Sequence, residues 1–315
     1  MNWPMELQRQ FYSKALVELG KIDQRVVVVG ADTTGSLQTD KFGKEFPGRL
    51  FNVGISEQNM MCVASGLALS GKIAFASTFA SFGTALVYNQ IRQSIAYPNL
   101  DVKIVCSHAG LTVGPDGATH QMIEDVGLMC GLPNMKVIVP ADAPQTYHAT
   151  KAMKDAPGPF YMRLSRGEFP SVTSMDQRFE LGKAQVMRDG KDVCLVANGL
   201  MVSRCIEAAE ELKANGIDAA VLNLHTVKPL DADTLIKFAR ETGAVVTAEE
   251  HTIIHGLGSQ VASVLSEHFP VPVRMVGVKD KFGESGNPEQ ILEKHGLTTK
   301  NIVANAKDVI GKKKK

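Results

Sequence analysis

Short runs of β-branched and aliphatic residues alternate with stretches of helical periodicity along almost the whole chain, and that alternation leaves few folds open. Val26–Val29, Ile73–Ala76, Val102–Cys106, Lys136–Val139 and Phe160–Met162 are predominantly apolar without a polar face. Strands of a parallel sheet, buried on both sides, have that pattern. Between them lie helical stretches at Glu6–Leu19, Gln58–Leu69, Gly83–Ala96, Met122–Cys130 and Pro144–Met153. Strand and helix in turn mean βαβ units, with helices covering both faces of the sheet.

The pattern lapses after Leu164. Ser165-Arg166-Gly167-Glu168-Phe169-Pro170 and the polar residues to Gln177 carry no periodicity and are expected to form a linker. Alternation then restarts, with strands at Val193–Ala197, Ala219–Leu222, Ala244–Ala248 and Val273–Val276, and helices at Val202–Ala214, Asp231–Arg240 and Gly258–Glu267. The fold class expected is α/β, with two domains that are each a mostly parallel sheet flanked by helices. The division expected is a first domain over residues 1–170, a linker and first strand over 171–190, and a second domain over 191–315. At 315 residues each domain is large enough to bury a core.

Charge and cysteine usage narrow the function classes. A net charge of +1, with a dense basic run only at Lys312–Lys315, gives no nucleic-acid footprint. No apolar stretch approaches the roughly 18 residues of a membrane span. The first residues lack the basic-then-apolar order of a signal peptide. Cys62, Cys106, Cys130, Cys194 and Cys205 are odd in number, without a CxxC pair and mostly within apolar runs. They are expected to be reduced core thiols of a cytoplasmic protein.

Two segments stand out chemically. Ile55-Ser56-Glu57-Gln58-Asn59-Met60 heads an apolar helix, with Phe79 and Phe82 downstream. A carboxylate in an apolar setting beside flat hydrophobic rings suits a heteroaromatic ligand. Read alone, Glu57 is an acid in a first helical turn, where the dipole favours it. Two phenylalanines three apart are expected to share one helix face, where they ordinarily pack a core. The second segment, Ser107–Gln121, follows a strand end, where parallel sheets bind ligands, and its glycines let the backbone approach one closely. His255-Gly256-Leu257-Gly258 is a strand-to-helix turn and no full dinucleotide fingerprint. Glu249, Glu250 and His251 lack a third ligand at a useful spacing and are assigned to structure.

Together these runs resemble the transketolase family of thiamine diphosphate enzymes. Phe51-Asn52-Val53-Gly54-Ile55-Ser56-Glu57-Gln58 and Ser77-Thr78-Phe79-Ala80-Ser81-Phe82 resemble its aminopyrimidine-binding segment. By that resemblance Glu57 hydrogen-bonds the pyrimidine nitrogen N1′ and promotes deprotonation of the cofactor, while Phe79 and Phe82 stack on the ring. A further aromatic usually follows; here Ala85 falls near that position, with Tyr88 later. The loop from His108 to Gln121 is similar to the family's substrate-channel loop. The resemblance implies that His120 binds the donor sugar and its developing oxyanion, Asp116 the acceptor α-hydroxyl, and His108 the substrate phosphate. Arg9, Ser36 and Arg166, the last within Leu164-Ser165-Arg166, match the phosphate-binding positions, and an arginine's planar fork suits that task.

The family also needs Mg²⁺ on the diphosphate, held by oxygen ligands from a Gly-Asp-Gly motif and a later asparagine. No Gly-Asp-Gly occurs in this sequence, and no metal ligand is assigned to it. A complete transketolase is longer, with its diphosphate-binding domain first. The resemblance therefore implies a split enzyme. This chain would supply the pyrimidine-binding and C-terminal domains, the second mainly for assembly. An N-terminal transketolase subunit would supply the diphosphate and Mg²⁺ grip, and two pairs would form an α2β2 heterotetramer acting on sugar phosphates.

Three other readings compete. A 1-deoxy-D-xylulose-5-phosphate synthase shares the Gly-Ile-x-Glu-Gln element, but its loop is one residue shorter between the positions of His108 and Asp116 and lacks the histidine. A 2-oxo-acid dehydrogenase β subunit would not need Arg9, Ser36, His108 and Arg166. A non-catalytic regulatory or binding relic would have no reason to keep both Glu57 and His120.

Overall fold

The structure, a computed structural model, describes residues 1–313, so Lys314 and Lys315 of the basic run lie outside it. Its first half contains the strands β1 (Met5–Leu7), β2 (Val26–Gly30), β3 (Leu50–Asn52), β4 (Ile73–Phe79), β5 (Val102–Ser107), β6 (Lys136–Ile138), β7 (Phe160–Arg163) and β8 (Glu168–Pro170). The second half adds β9 (Gln185–Arg188), β10 (Val193–Ala197), β11 (Ala219–Asn223), β12 (Thr226–Lys228), β13 (Val245–Thr252) and β14 (Val273–Val278).

Twelve of these make a seven-stranded sheet in the order β12-β6-β7-β5-β4-β2-β3 and a five-stranded sheet in the order β14-β13-β10-β11-β9, and β1 and β8 form a separate pair. Within the two larger sheets pairing is parallel apart from β12 on β6 and β9 on β11. The expected α/β class with mostly parallel sheets is what the chain adopts. One feature was not expected: β12 belongs to the second half in sequence and closes the edge of the first half's sheet.

The valine run of β2 shows why both faces of the sheet are covered. Val26 and Val28 point toward Tyr12, Leu16 and Leu19 of the Gln8–Ile22 helix. Val27 and Val29 point the other way, toward Met60, Met61 and Ala64 of the Glu57–Leu69 helix. Each such side chain, fully buried, contributes about 1.5–3 kcal/mol.

Several expectations need correction. Phe79 and Phe82 do not share a helix face. β4 runs on through Phe79, whose backbone is extended (φ −75°, ψ 149°) and aligned with Ser107 of β5, and a single helical turn begins at Ala80. The helix expected over Gly83–Ala96 is broken. Thr84 leaves helical geometry (φ −129°, ψ −80°) with its hydroxyl donating to the Ala80 carbonyl, and winding resumes only at Tyr88, becoming a π-helix over Ile91–Ala96. The helix expected from Met122 starts at Asp125, because the Met122 carbonyl accepts from Gly110 N–H at 2.7 Å. The linker holds β8, which pairs antiparallel with β1, so the first helix starts at Gln8 and not at Glu6. Cys62, expected in the core, is exposed, whereas Cys106, Cys194 and Cys205 are buried; all five thiols are free. Among the described residues no helix is long and apolar enough to cross a membrane.

Candidate active site

Parallel pairing puts the carboxyl ends of β2, β4, β5 and β7 along one edge, with Gly30 level with Ser77, Phe79 with Ser107 and Cys106 with Arg163. From β2 the chain moves outward to β3, and from β4 it moves the other way to β5. A crevice opens at such a reversal, just beyond the strand ends. The candidate residues of the sequence follow those ends: Ser36 after β2, Phe79 and Phe82 at β4, His108 after β5 and Arg166 after β7. Arg9 reaches the same edge because its helix runs back antiparallel to β2.

Most of them touch. The rings of Phe79 and Phe82 lie 6.1 Å apart at 28°. The His108 ring stacks on Phe79 at 4.0 Å and 30°, and His120 meets Phe82 edge-on at 5.3 Å. His120 Nδ1 lies 2.9 Å from the Thr119 hydroxyl. Arg9 donates to the Ser36 carbonyl at 3.2 Å, so it is the backbone of Ser36 that it holds, not the hydroxyl. Arg166 donates to the Val113 carbonyl at 2.7 Å and stands 3.9 Å from the Asp116 carboxylate. Glu57 begins the Glu57–Leu69 helix, which packs on β2 and β4, and is only 6% exposed. Tyr88 does not join the phenylalanines. It lines a separate cleft of about 470 Å³ with Leu128, Ile254 and Phe282.

The electrostatics at this edge are dominated by positive charge. Burial lowers the pKa of Arg9, and the nearby Arg166 guanidinium lowers it further. Arg9 Nε is buried without a hydrogen-bond partner. The same surroundings act on His108: burial first, then Arg9 and Arg166, bring it down to about 4 against the pull of Asp116. His108 is therefore neutral at pH 7, and its Nδ1 lies 2.7 Å from the Ser107 hydroxyl. Two guanidiniums facing one neutral imidazole form a pocket whose repulsion a bound dianion relieves.

The loop between His108 and Gln121 is held from several sides. Gln121 Nε2 donates to the carbonyls of Leu111, Gly114 and Glu284, and the Thr112 N–H donates to Glu250 at 2.7 Å. Sequence reasoning assigned Glu250 no part in the site. Only the fold brings it there, across 138 positions. Glu249 instead accepts from Leu257 and Gly258 N–H, capping the Leu257–His268 helix as expected for a strand-to-helix turn. Among the described residues no three His, Cys, Asp or Glu side chains converge as a metal site.

The residues fit an aminopyrimidine. A buried carboxylate at a helix head could pair with a ring nitrogen, and two aromatic rings 6.1 Å apart offer faces on which the ring could stack.

Comparison with known proteins agrees with this geometry. Residues 8–171 match the family described as transketolase, pyrimidine binding domain, and residues 182–302 match transketolase, C-terminal domain. The chain is 43% identical to the 6-deoxy-6-sulfo-D-fructose transketolase subunit SqwH of Clostridium sp. (strain MSTE9), covering 99% of each. It is 36% identical to one of the subunits of the apulose-4-phosphate transketolase of Phocaeicola vulgatus, over 96% of this chain and 97% of that one. A solved structure described as a split gene transketolase, inactive beta4 tetramer, superposes with a TM-score of 0.91 at 50% identity, covering 98% of this chain and 99% of that chain.

Proposed function

The chain belongs to the transketolase family, and we propose that it is the subunit of a two-part transketolase that grips the pyrimidine end of thiamine diphosphate and the charged end of the sugar. The diphosphate and its Mg²⁺ are assigned to a separate N-terminal subunit, and two pairs to an α2β2 assembly. The relatives named as transketolase subunits are matched end to end, which supports the split. Ile55, two residues before the helix that Glu57 begins, is 85% exposed, an apolar side chain open to a partner beside the site.

The observation that carries the reading is the convergence of Arg9, His108 and Arg166 beside the Phe79–Phe82 pair. An aromatic slot next to a doubly cationic pocket suits a cofactor ring next to the anionic end of a sugar. The substrates in the names of two relatives carry a sulfonate or a phosphate, and a terminal anion of that type is assigned here as well.

Thiamine diphosphate, when bound, supplies the nucleophilic carbon to which the two-carbon ketol unit is transferred. Glu57 holds the pyrimidine nitrogen N1′ through its carboxyl, and Phe79 and Phe82 orient the ring. Arg9 and Arg166 bind the terminal anion, with neutral His108 as a hydrogen-bonding partner. His120, fixed by Thr119, hydrogen-bonds the sugar oxygen on which negative charge develops. Asp116 faces the acceptor hydroxyl, with the Arg166 guanidinium 3.9 Å from its carboxylate.

The test is reconstitution with a subunit that carries Gly-Asp-Gly. The pair should convert xylulose 5-phosphate and ribose 5-phosphate only with thiamine diphosphate and Mg²⁺ present, and neither chain should do so alone. Glu57→Ala should abolish turnover. A loss of less than about tenfold, roughly 1.4 kcal/mol, would remove Glu57 from the reaction.

A further inference from the structure

The second domain meets the loop after β5 at its far end, where Gln121 reaches the Glu284 carbonyl, and at its near end through a buried carboxylate. Glu250 lies on β13, is 3% exposed and accepts the Thr112 N–H through Oε1 at 2.7 Å. Its carboxylate fills the space that a Cβ at Gly110 would need, and Gly110 itself adopts φ +82°, so the loop backbone lies flat against it. On the other side, Arg163 of β7 donates to the Glu250 carbonyl at 2.8 Å and to Asp125 at 3.0 Å, and it stands 3.9 Å from Glu250 Oε2. Tyr161 donates its hydroxyl to the same Asp125 at 2.6 Å. Burial raises the Glu250 pKa, while Arg163 and the Thr112 N–H favour its charged form; Oε1 is fixed by Thr112, and Oε2 has no hydrogen-bond partner of its own.

The segment so held, Leu111–Asp116, carries Asp116 at its end. It also presents the Val113 carbonyl that receives Arg166. Residue 112 is thus anchored to the second domain, and residue 113 sets the guanidinium that faces the substrate's anion. From this juxtaposition we propose that Glu250 is a positioning residue. Held by Arg163, it locks the Gly110–Asp116 segment and through it places Arg166 for the anionic end of the sugar. The second domain then serves substrate recognition as well as assembly. The proposal rests on the reading of Arg166 as an anion-binding residue.

Hydrogen exchange on the intact chain tests the lock without turnover. Glu250→Ala should speed exchange of the peptide spanning residues 110–116 by roughly tenfold or more, the loss of one buried charge-assisted hydrogen bond. Glu250→Gln keeps an acceptor for Thr112 and should stay near wild type. Glu250→Asp keeps the charge but falls one methylene short, and should follow alanine; it serves where alanine does not fold. In the reconstituted enzyme, Glu250→Ala should raise KM for a phosphorylated sugar about tenfold more than KM for an unphosphorylated one, with Glu250→Gln restoring the difference. Unchanged exchange in the alanine and aspartate variants overturns the lock, as does a glutamine variant as loose as alanine. An equal rise in both KM values removes Arg166 placement. An inactive wild-type pair would instead defeat the proposed function and leave the exchange result to decide the lock.

Discussion

Two histidines show how burial converts a common side chain into a pH-sensitive element. Burial, reinforced by Arg9 and Arg166, brings His108 down to about 4. His225, tilted against the Phe179 ring at 4.4 Å and adjacent to the Thr226 hydroxyl, is brought to about 4 by burial alone. An unfolded histidine titrates near 6.5. Between pH 6.5 and 4 the unfolded chain therefore takes up protons that the native chain refuses. Their contribution is complete above pH 6.5 and is lost as pH falls toward 4, on the order of 3 kcal/mol for each histidine. His225→Gln should flatten the fall of the melting temperature over that range, measured against wild type in matched buffers. A slope as steep as wild type would show that His225 is not a source. At this scale the sequence was informative where chemistry is local: the Ile55–Met60 run and the loop from His108 announce themselves by residue type and order. Glu250 did not, because its role depends on Thr112 and Gly110, which only the folded chain brings to it.

Strands buried on both faces were legible for a simple reason. A continuous apolar run such as Val26–Val29 satisfies two neighbouring layers at once and has no other stable environment. Elements defined by pairing left no such trace. β1 and β8 are three residues each, lie far apart in sequence and stabilise each other. The break at Thr84 is also silent in sequence, since helical periodicity continues across it while the Phe79 strand end and the Thr84 turn arise from tertiary contacts. β12 belongs to the same group, and its lysine allows a test. Lys228 Nζ donates to the carbonyls of Cys130 and Leu132 at 2.9 and 2.5 Å, where the Asp125–Cys130 helix ends. Lys228→Met keeps the aliphatic stem and deprives both carbonyls of their donor, which is expected to cost about 1–3 kcal/mol in urea unfolding. An unchanged unfolding free energy would mean that water replaces the ammonium.

The molecule as a whole is less divisible than two stretches of strand and helix suggest. A composition change near Ser165 is visible in sequence, yet the halves exchange structure across it. β12 closes the first sheet, and Arg163 of the first half is neutralised partly by Glu250 of the second. The loop from His108 to Gln121 is fixed by the Glu250 carboxylate and the Glu284 carbonyl of the second half. A fragment of residues 1–181 would leave β6 with an unpaired edge and Arg163 with one carboxylate fewer. An unpaired edge invites association with other chains, and breaking a buried ion pair costs about 3–5 kcal/mol. For a chain of that size the deficit corresponds to a fall of roughly 10 °C in melting temperature. The intact chain should therefore unfold in one transition by near-UV circular dichroism, and the fragment should melt lower and aggregate. Supplying residues 182–315 in trans should recover part of the difference. A fragment as stable and monomeric as the intact chain would show that the seam contributes little, and that the loop from His108 to Gln121 keeps its shape without the second domain.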